Sequence, residues 1–210
     1  QLQSSAASDV YKRQDSNNAH WATEYNRSYL KKYNAGGKLL KEIRGGGGSG
    51  QQQFRHPGKV AVDSGDNVYF IDTGNKRILS YDSSGNWRCT SSTFPNNSTH
   101  IYADLEVTPS DSIVVNQFGV AYIYDTGCSL KSTITPDPNY YNRVGPHAID
   151  QNNKSYYFDN TTKVLTRFNN ASNYFMQVEK TEANLTHKSS LGSPYDICLL
   201  YTSPSPRDRV

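Results

Sequence analysis

The chain of 210 residues is short of the residues that build helical cores and membrane spans: it has 1 Met, 2 Trp and 3 Cys, and its mean hydropathy is −0.76. No apolar run approaches the roughly 18 residues that cross a bilayer as a helix, so the segment is expected to be soluble. Serine-nucleophile, P-loop and dinucleotide-binding signatures are lacking, which removes the enzyme classes that those motifs mark. An excess of charge is lacking too, because the formal +3 falls to +1 once the two ends are set aside. Nothing global then argues for a nucleic-acid or membrane-surface partner. What is abundant is Tyr (16 residues) and Gly (15), with many Asn and Ser, a composition that favours strands and turns.

The two ends read differently from the rest. Ser4 to Gln14 resembles the conceptual translation of a sequencing adapter, and Cys198 to Asp208 resembles the adapter of the opposite end, as carried into metagenomic or transcriptomic reads. Residues 1–14 and 198–210 are therefore expected to be adapter-like and disordered, and residues 15–197 to be a piece of a longer reading frame. Cys89 and Cys128 remain as the biological cysteines.

Within that span the sequence repeats. Val60–Gly85 alternates in three short runs: Val60 and Val62 against Ala61, Val68 and Phe70 against Tyr69 and Ile71, and Ile78 against Leu79. Period two with apolar residues on both faces predicts strands packed between neighbours. The connectors Asp63–Asn67 and Asp82–Gly85 supply residues suited to tight turns, so antiparallel hairpins follow. A third-strand ending recurs with its aromatic at Tyr33, Tyr81, Tyr124 and Phe168, at intervals of 48, 43 and 44. A first-strand ending recurs at Val60–Asp63, Leu105–Thr108 and Ala148–Asp150, and Pro194–Ile197 opens another. These periods suit four-stranded propeller blades.

Phe54–Asp63, followed by Asn67–Tyr69, Asp72, Asn75, Arg77–Ile78 and Asp82–Gly85, resembles an NHL repeat, with a proline-led strand ending in Asp and then an N-x-R-I segment. The resemblance implies an all-β fold, a β-propeller of four-stranded antiparallel blades, six-bladed when complete and incomplete here. The span would hold the end of one blade, about three full blades and the start of the next. Gly45–Gly50 could be a flexible linker, but the period runs through it, and NHL repeats carry Gly-rich connections between an outer strand and the next inner strand. An unclosed propeller would expose two blade faces and be prone to aggregate.

Function is expected on the loops and channel mouths. The resemblance brings in related lyases, which hold zinc through histidines in loops entering the inner strands. The matching positions around Gln53, Ser98 and Tyr140 carry none, while His56, His100 and His147 lie near strand starts at unequal offsets. Related lactonases use a calcium-type oxygen site, for which Asp63, Asn116, Asp150 and Asp196 are candidates, though strand-end acids are also ordinary turn formers. No cofactor is assigned.

Residues 25–90 hold 11 Lys/Arg against 5 Asp/Glu, so one side would be basic. Lys31, Lys32, Arg55, Lys59, Lys76, Arg77 and Arg88, near Trp87, could hold RNA, or the Arg of N-x-R-I could be structural. Asn-x-Ser/Thr occurs at Asn26, Asn96, Asn97, Asn153, Asn160, Asn170 and Asn184; with Cys89 and Cys128 as a disulfide it would favour an extracellular domain, while two free cytosolic thiols account for the cysteines equally well. The leading expectation is a non-catalytic module binding a protein or peptide through Arg55, His56, Lys76, Arg77 and Trp87. The alternatives are a lyase- or lactonase-like metalloenzyme and an RNA binder.

Overall fold

The computed structural model describes residues 10–94, 103–117, 120–134, 144–149, 155–159, 165–168 and 179–181. Outside them lie His100, Asp150, Asp196, the stretch Pro194–Ile197 and every sequon except Asn26; of His147 only the backbone is described. Among the described residues sixteen strands form four sheets of four strands each, every neighbour antiparallel.

The first sheet runs β1 (Val10–Gln14), β2 (His20–Glu24), β3 (Tyr29–Tyr33), β4 (Leu39–Arg44), and the second β5 (Pro57–Val62), β6 (Val68–Asp72), β7 (Arg77–Tyr81), β8 (Trp87–Thr90). The third runs β9 (Ala103–Val107), β10 (Ile113–Gln117), β11 (Val120–Tyr124), β12 (Leu130–Ile134), and the fourth β13 (Val144–Ile149), β14 (Ser155–Asp159), β15 (Leu165–Phe168), β16 (Glu179–Thr181). Consecutive first strands lie side by side, β1 against β5, β5 against β9 and β9 against β13. The chain is thus all-β, a run of propeller blades that meet face to face.

The expectation that residues 1–14 stand outside the fold is corrected at Val10–Gln14, which pairs with β2 in register from Val10 opposite Glu24 to Gln14 opposite His20. A composition that looks foreign still has backbone donors and acceptors, and the open edge of β2 satisfies them. Asp15, just after β1, occupies the place that Asp63 takes after β5.

Alternation along β6 builds both seams. Val68 and Phe70 pack toward the first blade with Trp21, Leu30, Phe54, Val60, Leu79 and Tyr81, whereas Tyr69 and Ile71 pack toward the third with Ala61, Ile78, Leu105, Ile113, Val115 and Tyr122. Phe54 meets Phe70 edge-on at 4.9 Å between centroids, and Phe70 stacks on Tyr81 at 6.1 Å. The four recurring aromatics end β3, β7, β11 and β15.

The far face of the first blade is built otherwise. At the strand position that Leu79 and Tyr122 fill in the next two blades stands Lys31, ion-paired with Glu24 and Glu42. Burial pulls the Lys31 pKa down, but the hydrogen bond and charge of Glu24, with Tyr33 and Glu42, outweigh it and the net shift is upward. On this side the blade thus carries a charged cluster where the next two blades carry Leu79 and Tyr122.

Cys89 on β8 and Cys128 in the turn after β11 form a disulfide with a Cα–Cα distance of 5.9 Å, joining the second and third blades. Beside it, Arg88 Nη1 donates to Tyr69 Oη (2.8 Å), and Tyr69 Oη donates to Asp63 (2.9 Å). Burial, with Asp63 adding to it, pushes the Tyr69 phenol up to about 12.

Candidate functional site

The blades have two ends. At the lower end, where the first strands finish, each strand-ending residue builds its own turn. Asp15 Oδ1 accepts the amides of Asn17 and Ala19, Asp63 Oδ1 those of Gly65 and Asn67, and Thr108 Oγ1 that of Ser112. These turns also join blades, because Ser16 donates to Asp66 and Ser64 to Asp111. Asp66 and Asp111 hold φ values of 61° and 59°, a left-handed conformation that Asp tolerates in such turns.

Asp63 is therefore a turn and clamp residue, its other oxygen taken by Asn67 and Tyr69. The other described metal candidate, Asn116, stands opposite Asp104 near the upper end of β10. Asp63 and Asn116 thus sit at opposite ends of neighbouring blades. Among the described residues no group of three or more His, Cys, Asp or Glu side chains is placed to hold a metal.

The upper end, where β5 begins, is organised by Asp72. This carboxylate is 0% exposed and accepts from the Arg55 amide (3.0 Å), Asn75 Nδ2 (2.7 Å) and Arg77 Nε (3.0 Å). The same groups reach onward to the Gly-rich loop between β4 and β5. Asn75 Nδ2 donates to Gly48 O (2.9 Å), and Arg77 Nη2 donates to Gly50 O (2.7 Å) and Gln53 O (2.8 Å). Tyr81 Oη donates to Gln52 O (3.2 Å) and Thr90 Oγ1 to Gln51 O (2.6 Å). Burial, with the charge of Asp72 behind it, raises the Tyr81 pKa to about 12, so this donor keeps its proton.

The N-x-R-I residues Asn75 and Arg77 are thus the anchors of the loop, and Gly45–Gly50 is a held surface, not a free linker. A Cβ at Gly48 would lie 2.1 Å from Gln53 Oε1, so a larger residue there would push the Gln53 side chain off the Gly50 amide.

Toward the first blade, His56 is exposed with φ 51° and stacks on Tyr25 at 4.7 Å between centroids, while its amide donates to Ser28 Oγ (3.4 Å). Tyr25 belongs to the short 3-10 turn Tyr25–Arg27 between β2 and β3. The Arg55 guanidinium donates twice to Gly74 O, at 2.8 and 3.0 Å. Arg55, His56, Lys76 and Arg77 are brought together at this end. Trp87 is not: it packs half-buried on β8 against the seam of the first two blades, with Nε1 donating to Thr90.

Four residues of the basic side are held in ion pairs. Lys31 is held as described, Lys32 meets Asp15 (2.9 Å), Lys59 meets Asp104 (3.6 Å) and Arg77 meets Asp72. Residue counting missed these because each partner comes from another strand or blade. It also missed Tyr81 and Thr90 as loop anchors, since their strand positions give no sign of a polar target.

This geometry defines a β-propeller with its loop-rich surface at the end where the first strands begin. Comparison with solved structures gives the same class. A streptogramin B lyase matches with a TM-score of 0.61 at 16% identity, over 80% of this chain and 54% of that one. A catalytically inactive virginiamycin B lyase from Staphylococcus aureus, crystallised with quinupristin, matches at 0.64 and 14%, over 87% and 59%. U3-55K matches at 0.61 and 13%, over 79% and 50%. The chain spans between half and three fifths of these structures, and the likeness is one of fold. No protein-family model matches the chain, and no curated protein sequence matches it.

Proposed function

We propose that this chain is an NHL-like interaction module that binds a protein or peptide partner on its upper loop face. The observation that carries the reading is the anchoring of the glycine-rich loop: side chains of Asn75, Arg77, Tyr81 and Thr90 hold five of its carbonyls from beneath. A long loop without strand or helix that is nonetheless fixed loses little entropy when a partner docks on it. Around it stand exposed Gln51, Gln52, Gln53, Arg55 and His56. Their amides, cation and ring form a mixed donor and acceptor surface that suits an extended peptide. The role of the N-x-R-I residues as anchors supports the NHL-like reading of the blades.

The test is selection from a random peptide display library on the full chain, followed by titration of the selected peptides by calorimetry. His56→Ala and Gln53→Ala should each weaken binding about tenfold, the loss of one interfacial hydrogen bond or ring contact. Ser84→Ala at the lower end should not. Peptides indifferent to the upper-face variants would overturn the reading. Turnover of quinupristin, the compound bound in one of the similar lyases, would replace it by a lyase activity.

A further inference from the structure

The anchoring of the loop carbonyls fixes where the loop amides point. Every peptide bond described is trans, so the N–H of each peptide unit points opposite to its C=O. The carbonyls of Gly48, Gly50 and Gln51 are held inward by Asn75, Arg77 and Thr90. The amides of Ser49, Gln51 and Gln52, which close those three units, therefore face outward, on residues that are all exposed. The neighbouring donors are engaged inside the loop, Gly50 N with Gln53 Oε1 and Gln53 N with Gly50 O.

Charge favours an anion over a neutral acceptor at these amides. Arg77 donates to the carbonyl of Gly50, polarising the peptide unit whose far end is the Gln51 amide. Arg55 adds a second guanidinium on the β6–β7 turn that also holds Gly48 through Asn75. The acid of this network, Asp72, lies buried beneath the loop and is already paired with Arg77. Backbone amides turned outward on a glycine-rich loop, here the consecutive pair Gln51 and Gln52 with Ser49 beside them, supply the donors of an anion site.

We propose that Ser49, Gln51 and Gln52 form a carboxylate cradle for the peptide partner, taking either its C-terminal carboxylate or an acidic side chain. This rests on the upper-face binding reading and names the chemistry that the face selects.

The experiment is a 15N–1H titration of the full chain at low ionic strength with acetate, N-acetylalanine (a C-terminal carboxylate), N-acetylglutamic acid α-amide (a side-chain carboxylate) and acetamide, the neutral isostere. The Ser49, Gln51 and Gln52 amides should move downfield and saturate with the carboxylates, at a Kd on the order of 10 mM or below, and stay still with acetamide. The carboxylate that saturates at the lower concentration identifies the source. Gln51→Pro, which removes one donor, should weaken the same titration about tenfold. If that variant loses its fold, the titration of the parent chain still decides. Equal shifts with acetamide, or none with any carboxylate, would overturn the cradle. Display-selected peptides that bind while acetate leaves these amides unmoved would sink the cradle and leave the binding module standing.

Discussion

Replacing Asp72 by alanine would leave the Arg77 guanidinium, whose side chain is 12% exposed, without its counter-charge, and the Arg55 amide and Asn75 without their acceptor. Removing one partner of a buried pair costs more than the pair is worth, about 3 kcal/mol, and urea denaturation should show that loss. Arg77→Lys keeps the charge but not the fork that reaches Asp72 and two loop carbonyls together, so the upper face should lose peptide affinity with a smaller loss of stability. The glycines behind the loop can be ranked the same way. Gly46 and Gly47 have φ of 67° and 73° and open space around the Cβ position, so alanine there should cost about 1 kcal/mol each through the backbone alone. At Gly45 a Cβ would sit 2.3 Å from the Phe54 carbonyl oxygen, and Gly45→Ala should shift the urea midpoint further than either.

Among the elements, the second blade was the most legible in sequence because both of its faces are buried. Val68 and Phe70 against Tyr69 and Ile71 read as alternation, and each set packs on a different neighbour. The first blade was half legible: Tyr33 marks the end of β3, but Lys31 and Glu42 on its polar far face break the apolar pattern, and β1 carries a composition unlike the rest. Carboxylates at Asp63 and Asp72 could be seen but not told apart, since the partners that make one a turn clamp and the other a loop anchor come from Asn67, Tyr69, Asn75 and Arg77 in three dimensions. The staple between the second and third blades is testable at this scale. Cys89 and Cys128 are 39 residues apart, and opening that loop in the unfolded chain should cost about 4 kcal/mol. Cys89→Ser together with Cys128→Ser should lower the urea midpoint of the oxidised chain, and adding reductant to the parent should reproduce the loss.

For the molecule as a whole, the seams contain tyrosines whose protonation is tied to the packing of blade on blade. Burial raises Tyr69, Tyr81 and Tyr124 to about 12, with nearby Asp63, Asp72 and Tyr122 respectively pushing the same way. Tyr69 and Tyr124 lie in the seam between the second and third blades, and Tyr81 in that between the first and second. In the unfolded chain each would ionise near 10. A folded pKa above the unfolded one contributes stability in full below pH 10 and loses it as pH rises toward 12, because the unfolded chain gives up its protons first. Thermal melts should thus hold steady at moderately alkaline pH and fall steeply from about 10 to 12. Absorbance of tyrosinate followed at the same time should show these phenols ionising with unfolding and not before it. Tyr124→Phe keeps the ring and removes one ionising group from the seam, so its melting temperature should fall less steeply over that window. An unchanged slope in Tyr124→Phe would mean that the blades separate at high pH for a reason other than these phenols.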